Sequence, residues 1–376
     1  MPTRRPLPIP ILPAVCLGVT LAGASAALAQ GVDRMDTEPP GLQPLAAHVS
    51  GRAVMGPGGS LRRQWPGTYA EAAFIGREAY FRVGPGEVSL RVRLDTQVPV
   101  ALVKPSPGLY RVTASAEAAA HRLRIDVASE SQAGATSFGG FFLAAEGRRA
   151  PLPARARQIE FIGDSHTVGY GNTAPSRACS EDQVWAFTDT TLGVAPRVAA
   201  RYDADYQVNA ISGRGVVRNF DGLAADVLPA LYPFALFDKE TAAVDPAWRP
   251  RAVMVNLGTN DFATPLRDGE RWTARERLQA DYVAGYVDFL QALRKRHPQA
   301  YVLLWAAAGE DSELVIQVRK VLRLVRQSGD ARIGLVTVPG LSMAGCNFHP
   351  SVADDERIAQ ALARHLDARV PELGAP

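Results

Sequence analysis

The sequence predicts two domains, an antiparallel β-sandwich of jelly-roll type followed by an α/β/α domain with a mainly parallel sheet. The chain has 376 residues, which exceeds the usual size of a single domain. Residues from about 68 to 145 alternate apolar and polar side chains with the period of half-buried strands. Beyond residue 157, continuous apolar runs alternate with helical segments, which is typical of a parallel sheet covered on both faces.

The first 29 residues are predicted to form a secretory signal peptide. Arg4 and Arg5 precede an apolar stretch from Ile9 to about Ala24, and "ALAQ" offers a small-x-small cleavage site that ends at Ala29. The stretch is too short and too broken by proline for a membrane anchor, and no later apolar run approaches ~20 residues. We therefore expect a secreted or periplasmic protein with no membrane span.

The charge of the chain argues against a nucleic-acid partner. Removal of the leader takes away two arginines and no acids, so the formal net charge falls from +3 to +1. No long basic run remains to neutralise phosphates. No cluster has the spacing of a metal site and no glycine loop matches a nucleotide cradle, so we expect neither a metal nor another cofactor.

The predicted β domain covers residues 30–148. "VSLRVRL" at 88–94 and "RLRIDV" at 122–127 alternate strictly, and "GPGE" and "KPSPG" supply turns between strands. The polar segment "EGRRAPLPARAR" at 146–157 contains two prolines and predicts a domain boundary.

The predicted α/β domain covers residues 155–372. Its five apolar runs are "QIEFIG", "YQVNAIS", "RAVMVNLG", "YVLLWAAA" and "RIGLVTV". Helical segments near 191–202, from about 273, at about 312–327 and after Ser351 separate or follow them. Polar loops at the carboxyl ends of such strands are where sites form.

Four of these strand ends carry unusual sequences: "GDSHTVG", "ISGRG", "NLGTND" and "GCNFHPS". Ser165 is the candidate nucleophile, and it needs an imidazole within hydrogen-bond reach. His349 is the candidate base because it lies in a loop just before a helix. His166 is adjacent to Ser165, where neighbouring side chains diverge, and is predicted to line the rim.

Acyl transfer also needs donors for the developing oxyanion. The backbone amides of Ser165 and Gly213 and the side-chain amide of Asn260 are the candidates. Each motif alone is weak, because it could be a tight turn, a loop or a helix cap. Their joint occurrence in this order at successive strand ends favours a catalytic site.

These four blocks resemble those of the SGNH (GDSL) hydrolase superfamily, over residues 155 to 372. "TSFGGFFL", "GYGN", "SGRGVVRN" and "GCNFHP" resemble more closely carbohydrate esterase family 2, in which a β-sandwich precedes the catalytic domain. The resemblance implies a flavodoxin-like fold. It also implies removal of O-acetyl groups from saccharides such as xylan or glucomannan, with Ser165, His349, Gly213 and Asn260 in the roles given above.

One departure from the superfamily concerns the group that orients His349. Cys346 and Asn347 stand three and two residues before it, where members carry an aspartate. We therefore predict a Ser–His dyad, with His349 held by the side-chain oxygen of Asn347 or by a main-chain carbonyl such as that of Phe348.

Two cysteines remain after the leader, Cys179 and Cys346. Export to an oxidising compartment favours a disulfide between them, and two free buried thiols are the alternative.

Trp185 and Trp272 follow strand ends and are candidates, with His166, for saccharide contacts. An ordinary structural role is at least as common for such residues.

Two other functions fit the same sequence. The first is a lipase, thioesterase or O-acetyltransferase on this scaffold. The second is a non-catalytic carbohydrate-binding protein, which the missing carboxylate favours. Acetyl-ester substrates and a Ser165→Ala variant distinguish these from an esterase that acts on acetylated oligo- or polysaccharides.

Overall fold

The computed structural model describes residues 31–114 and 120–374, so the predicted signal peptide lies outside the described residues. Within these ranges a set of antiparallel strands comes first and a set of parallel strands with helices follows. The antiparallel strands are β1 (Gly31–Arg34), β2 (Gln43–Leu45), β3 (His48–Ser50), β4 (Ala53–Met55), β5 (Leu61–Arg63), β6 (Tyr69–Ile75), β7 (Glu78–Val83), β8 (Ser89–Leu94), β9 (Val100–Val103), β10 (Gly108–Thr113), β11 (Ala120–Val127), β12 (Thr136–Leu143) and β13 (Arg148–Arg149).

These strands form two sheets that pack face to face. One sheet has the order β1-β10-β7-β12-β5-β4 with β2 beside β12, and the other has the order β13-β6-β11-β8-β9 with β3 beside β6. The alternating side chains explain the packing, because Leu90, Val92 and Leu123 point inward and are at most 5% exposed. They meet Phe81 and Phe141 of the opposite sheet in one core. The predicted antiparallel sandwich is confirmed.

The parallel sheet has the strand order β15-β14-β16-β17-β18, in which β14, the first of its five strands along the chain, lies between β15 and β16. Gly163, the last residue of β14, is in register with Ala210 of β15 and with Asn256 of β16. The three loops that follow these strands therefore start side by side. The strands are β14 (Arg157–Gly163), β15 (Ala204–Ala210), β16 (Ala252–Asn256), β17 (Tyr301–Ala306) and β18 (Ile333–Thr337).

Helices cover both faces of the parallel sheet. On one face α3 and α8 bury Val198 and Leu362, and on the other α6 and α7 bury Tyr286 and Val321. No helix among the described residues has the length and apolar character needed to cross a membrane. The helices are α1 (Ser165–Val168), α2 (Glu181–Phe187), α3 (Val194–Arg201), α4 (Leu228–Leu231), α5 (Thr259–Phe262), α6 (Arg275–Arg296), α7 (Glu313–Gln327), α8 (Val352–Arg369) and α9 (Pro371–Gly374).

The β-sandwich makes buried polar contacts with the α/β region. Arg52 donates to the carboxylate of Glu160 at 3.1 Å, and Ser50 Oγ donates to the carbonyl oxygen of Tyr206 at 2.7 Å. Burial opposes ionisation of Glu160, yet a hydrogen bond from His297 and the charge of Arg52 hold its pKa at about 2. Each partner therefore has its charge or hydrogen bond satisfied across the boundary.

Candidate active site

Ser165 is the first residue of α1 and directly follows the loop at the end of β14. Asp164 caps this helix, because its side chain accepts a hydrogen bond from the amide of His166 at 3.1 Å. The amide of Ser165 has no acceptor within the helix, as is general for the first turn. The strand, the cap and the short helix together fix the serine at the sheet edge.

His349 faces Ser165 from the loop before α8. Its Nε2 atom lies 2.9 Å from Ser165 Oγ, and its Nδ1 atom lies 2.9 Å from the carbonyl oxygen of Cys346 and 3.2 Å from that of Asn347. A carbonyl oxygen can only accept, so Nδ1 carries the proton in the neutral ring. The lone pair of Nε2 then points at the serine hydroxyl. This is the tautomer that a general base needs.

The surroundings of His349 favour its neutral form. Burial lowers the pKa of the imidazole, and the two carbonyl oxygens offset part of that effect by accepting from the protonated ring. The ring of Tyr170 packs against it with centroids 4.2 Å apart, and His166 meets it edge to face at 5.5 Å. His349 is therefore unprotonated, and available as a base, at neutral pH.

Asn260 and Gly213 lie on the two loops next to α1. The Asn260 side-chain amide donates to the carbonyl oxygen of Arg214 at 2.9 Å and to Asp164 Oδ2 at 3.3 Å. Gly213 has a φ of 81°, a conformation that favours glycine, and nothing lies within 4 Å of the place of a Cβ atom there. The structure thus brings the segments of Ser165, Gly213 and Asn260 to one edge of the sheet.

Two buried carboxyl groups brace these loops. Asp261 accepts from the amides of Val216, Val217 and Arg218, each at 2.9 Å. Burial raises the pKa of Asp261 to about 6, and burial together with the charge of Asp261 raises that of Asp164 to about 7. Both residues accept hydrogen bonds from backbone amides.

A disulfide joins Cys179 to Cys346, so the two cysteines are paired and not free. Arg177 adds to this tether, because its side chain donates to the carbonyl oxygens of Ser342 and Met343 and its own carbonyl accepts from the amide of Asn347. The segment that follows Ser165 therefore holds the loop that carries His349.

Two family models match the chain. Residues 49–153 match "Carbohydrate esterase 2 N-terminal", and residues 161–375, more than half of the chain, match the "GDSL-like Lipase/Acylhydrolase family". Over 332 residues the chain is 37% identical to an acetylxylan esterase / glucomannan deacetylase of Cellvibrio japonicus (strain Ueda107), with 87% of this chain and 92% of that protein covered. The chain belongs to carbohydrate esterase family 2. It is a carboxylic ester hydrolase of the SGNH superfamily.

Solved structures share the two-domain fold of this family 2 esterase. One is a carbohydrate esterase whose active site is described as having divergent catalytic and non-catalytic binding functions. It has a TM-score of 0.83 and 36% identity and covers 88% of this chain and 100% of its own. A family 2 enzyme with a carbohydrate-binding domain from Corynascus thermopiles (Myceliophthora fergusii) has a TM-score of 0.73 and 26% identity, with 87% and 100% covered.

Main-chain carbonyls orient His349 in this esterase, as one of the two sequence alternatives predicted, but they belong to Cys346 and Asn347 and not to Phe348. The side-chain amide of Asn347 donates to the hydroxyl of Tyr170 at 3.2 Å and so turns away from the imidazole. Phe348 is 65% exposed and its ring stacks near the Arg177 guanidinium. The carbonyl oxygen of Cys346 lies nearest to Nδ1, because the turn at 346–348 folds it back onto the imidazole.

Two of the three residues predicted to contact saccharide, His166 and Trp272, are buried. His166 is only 6% exposed and packs behind His349, and burial followed by the neighbouring imidazole lowers its pKa to about 3. It does not line the rim. Trp272 is 8% exposed and donates to Asp281 of α6, and none of its described contacts is with Ser165 or His349.

Trp185 lines a cleft of about 540 Å³ beside the dyad. Tyr170 lines the same cleft, which continues along Glu130 and Gln132 of the β-sandwich. The Lys104 ammonium lies 4.8 Å from the centre of the Trp185 ring. Sequence reasoning missed Tyr170, although "GYGN" placed a tyrosine five residues after the serine, close enough to share its helix end.

The described residues contain no group of three or more His, Cys, Asp or Glu side chains that could hold a metal ion. The acidic residues nearest the dyad, Asp164 and Asp261, are used by amides of the protein. The polar chemistry available at this edge is that of a hydroxyl, an imidazole and several N–H donors. Such a set can transfer an acyl group.

Proposed function

We propose that this protein removes O-acetyl groups from oligo- or polysaccharides, with Ser165 as nucleophile and His349 as general base. The observation that carries the proposal is the 2.9 Å contact from His349 Nε2 to Ser165 Oγ, with Nδ1 held by the Cys346 carbonyl. The activity named for the Cellvibrio japonicus relative supports an acetylated xylan or glucomannan as substrate.

The first half of the reaction acetylates the serine. His349 Nε2 takes the proton of Ser165 Oγ as that oxygen attacks the acetyl carbonyl carbon. The amides of Ser165 and Gly213 donate to the oxyanion, and the side-chain amide of Asn260 joins them by exchanging its 3.3 Å bond to Asp164 for one to the oxyanion. The intermediate collapses by breaking the bond to the sugar oxygen, which receives the proton from Nε2 and leaves as a hydroxyl.

The second half restores the enzyme. His349 takes a proton from a water molecule, whose oxygen attacks the acetyl carbon of the acyl-serine. Cleavage of the bond to Ser165 Oγ releases acetate, and the proton on Nε2 returns to the serine. His349 works as a dyad member here, since its second nitrogen faces neutral carbonyls and no carboxylate.

We place this reaction outside the cytoplasm. The predicted signal segment at 1–29 and the disulfide at Cys346 both support export, since such bonds persist in oxidising compartments.

Acetate release from acetylated xylan, acetylated glucomannan and defined acetyl-sugars tests the proposal. Ser165→Ala is expected to lower kcat by at least about 10³-fold on all of them. Ser176→Ala, which removes an exposed hydroxyl eleven residues after Ser165 in the chain, serves as the matched control. Activity of Ser165→Ala equal to that of the parent, or a preference for long-chain acyl esters over acetyl-sugars, would overturn the assignment.

A further inference from the structure

A loop of the β-sandwich forms hydrogen bonds with the backbone of the residue before Gly213, the proposed oxyanion donor. The loop joins β11 to β12, and two of its side chains contact Ser212. Glu130 accepts from the Ser212 amide at 2.9 Å, while Gln132 Nε2 donates to the Ser212 carbonyl oxygen at 3.2 Å. Gln132 Nε2 also lies 3.3 Å from Glu130 Oε1, so the two side chains are linked to each other.

The contact to the Ser212 carbonyl bears directly on Gly213. The carbonyl of residue 212 and the amide of residue 213 belong to one peptide unit, which is planar and trans. Their C=O and N–H bonds therefore point in opposite directions. A donor that fixes the Ser212 oxygen also fixes the direction in which the Gly213 N–H points.

Side-chain packing does not fix the orientation of the peptide at Gly213. Nothing lies within 4 Å of the place of a Cβ atom, and the glycine backbone is free to rotate in ways that other residues are not. The next peptides are held by other groups, since the Gly213 carbonyl accepts from the Phe220 amide and the Arg214 carbonyl accepts from Asn260. The Ser212 carbonyl is held by the side chain of Gln132.

We infer that Glu130 and Gln132 are positioning residues, through which the β-sandwich aims the Gly213 amide at the reacting acyl oxygen. Glu130 anchors the peptide before Ser212, and Gln132 anchors the peptide after it. Loss of either leaves the donor present but its direction less firmly fixed, since only the turn bond from the Arg214 amide to the Ile211 carbonyl then spans this peptide. The inference rests on the proposed function, because it assigns Gly213 to the oxyanion.

When an oxyanion donor points in the wrong direction, stabilisation of the transition state falls more than binding of the ester does. Removing such a donor outright costs about 10²–10³ in kcat. For Gln132→Ala and Glu130→Ala we expect a smaller loss, of about ten-fold or more in kcat, with KM changed by less than about two-fold. Glu130→Gln keeps an acceptor oxygen for the Ser212 amide and is expected to recover most of the lost rate.

Steady-state kcat and KM on an acetyl-sugar, measured for these three variants in the full chain, test the inference. Ser50→Ala is the matched control, because it removes another buried hydrogen bond between the sandwich and β15, at Tyr206. It is expected to keep kcat within about two-fold, the loss expected for positions that do not touch the transition state. Urea unfolding of each variant checks that the fold is retained.

Three results would overturn the positioning role. They are unchanged kcat in both alanine variants, a rise in KM alone, which would mark a substrate contact, or an equal fall in kcat for Ser50→Ala, which would mark general loosening of the two domains. The proposed function fails separately, through an active Ser165→Ala variant or a preference for long-chain acyl esters. A dead Ser165→Ala with fully active Gln132→Ala refutes the positioning role alone.

Discussion

His349 Nδ1 lies 2.9 Å from the main-chain carbonyl oxygen of Cys346, the residue whose side chain is bonded to Cys179. One residue thus supplies both the acceptor that selects the tautomer of the imidazole and the covalent link that fixes its loop. A neutral carbonyl stabilises an imidazolium less than a carboxylate does. The consequences can be measured as pH dependence, as tolerance of substitution and as sensitivity to reductant.

The acid limb of the pH profile should lie below the ordinary histidine value. Burial lowers the pKa of His349, and only the neutral ring can accept the proton of Ser165. We expect kcat/KM to hold down to pH ~6.5, the unperturbed value, and to fall as pH drops through the lowered pKa. His166 cannot produce this limb, because its pKa is lowered to about 3. An apparent pKa at or above ~6.5 for the free enzyme would contradict this.

Removal of the Asn347 side chain should leave the dyad working. That side chain contacts Tyr170, and the residue has a φ of 52°, which glycine accepts without strain. For Asn347→Gly we expect kcat to fall by less than about ten-fold, the worth of one ordinary hydrogen bond, with the acid limb unmoved. The pH profile of kcat/KM measures both. A displaced limb would instead mark Asn347 as the partner of His349.

Opening the disulfide should cost both stability and rate. Cys179 and Cys346 are 167 residues apart in sequence, and loss of a native bridge typically lowers the free energy of unfolding by about 2–5 kcal/mol. We expect reductant to lower the urea midpoint and kcat of the parent. The double variant Cys179→Ala/Cys346→Ala is the control, since reductant should not affect it further. Equal stability of the reduced and oxidised parent would refute the tether.

Stability should fall as pH rises because of Asp355. This residue is fully buried on α8; its Oδ2 accepts from Asn172 at 2.9 Å, and its Oδ1 has no hydrogen-bond partner among the described residues. Burial raises its pKa to about 8. Between pH ~4 and that value the folded protein holds a proton that the unfolded chain has released. The contribution of Asp355 to the free energy of unfolding is therefore largest at low pH. It falls by about 1.4 kcal/mol per pH unit across that window.

Urea unfolding at several pH values from 5 to 8 measures this slope. Asp355→Asn has no proton to release, so the decline of its unfolding free energy with pH should be shallower than that of the parent. Asp182→Asn, an exposed change on α2, should keep the parental slope. Identical slopes for the parent and Asp355→Asn would show that Asp355 is ionised in the folded protein throughout.

The sequence predicted the fold well because side-chain periodicity and strand packing are linked directly. The alternation around Leu90 and Leu123 marks half-buried antiparallel strands, and the apolar runs ending at Gly163 and Asn256 mark strands buried on both faces. The carboxyl ends of parallel strands share an edge, so the order of the motifs already placed Ser165 beside the other loops.

The remaining features of the site depend on contacts that do not require a particular residue type, so the sequence does not reveal them. Any residue at position 346 has a carbonyl, so nothing in the sequence singles out that oxygen as the acceptor for His349. The burial of Trp272 follows from its packing on α6, and its place after a strand end gave no sign of this. Glu130 lies in a loop, where acids are ordinarily solvated, and its contact with Ser212 joins residues 82 apart in the chain.

The ion pair between Arg52 and Glu160 bears on whether the α/β domain can be produced without the β-sandwich. Glu160 sits within β14, yet its guanidinium partner comes from a residue more than a hundred positions earlier. A fragment excised at residue 155 would retain the carboxylate in its interior with its bonds from His297 and Tyr232 but without that cation, and removing one partner of a buried ion pair typically costs about 3–5 kcal/mol. Autonomous expression of the hydrolase half would therefore yield a weakened protein, and a portable catalyst from this chain must include both halves.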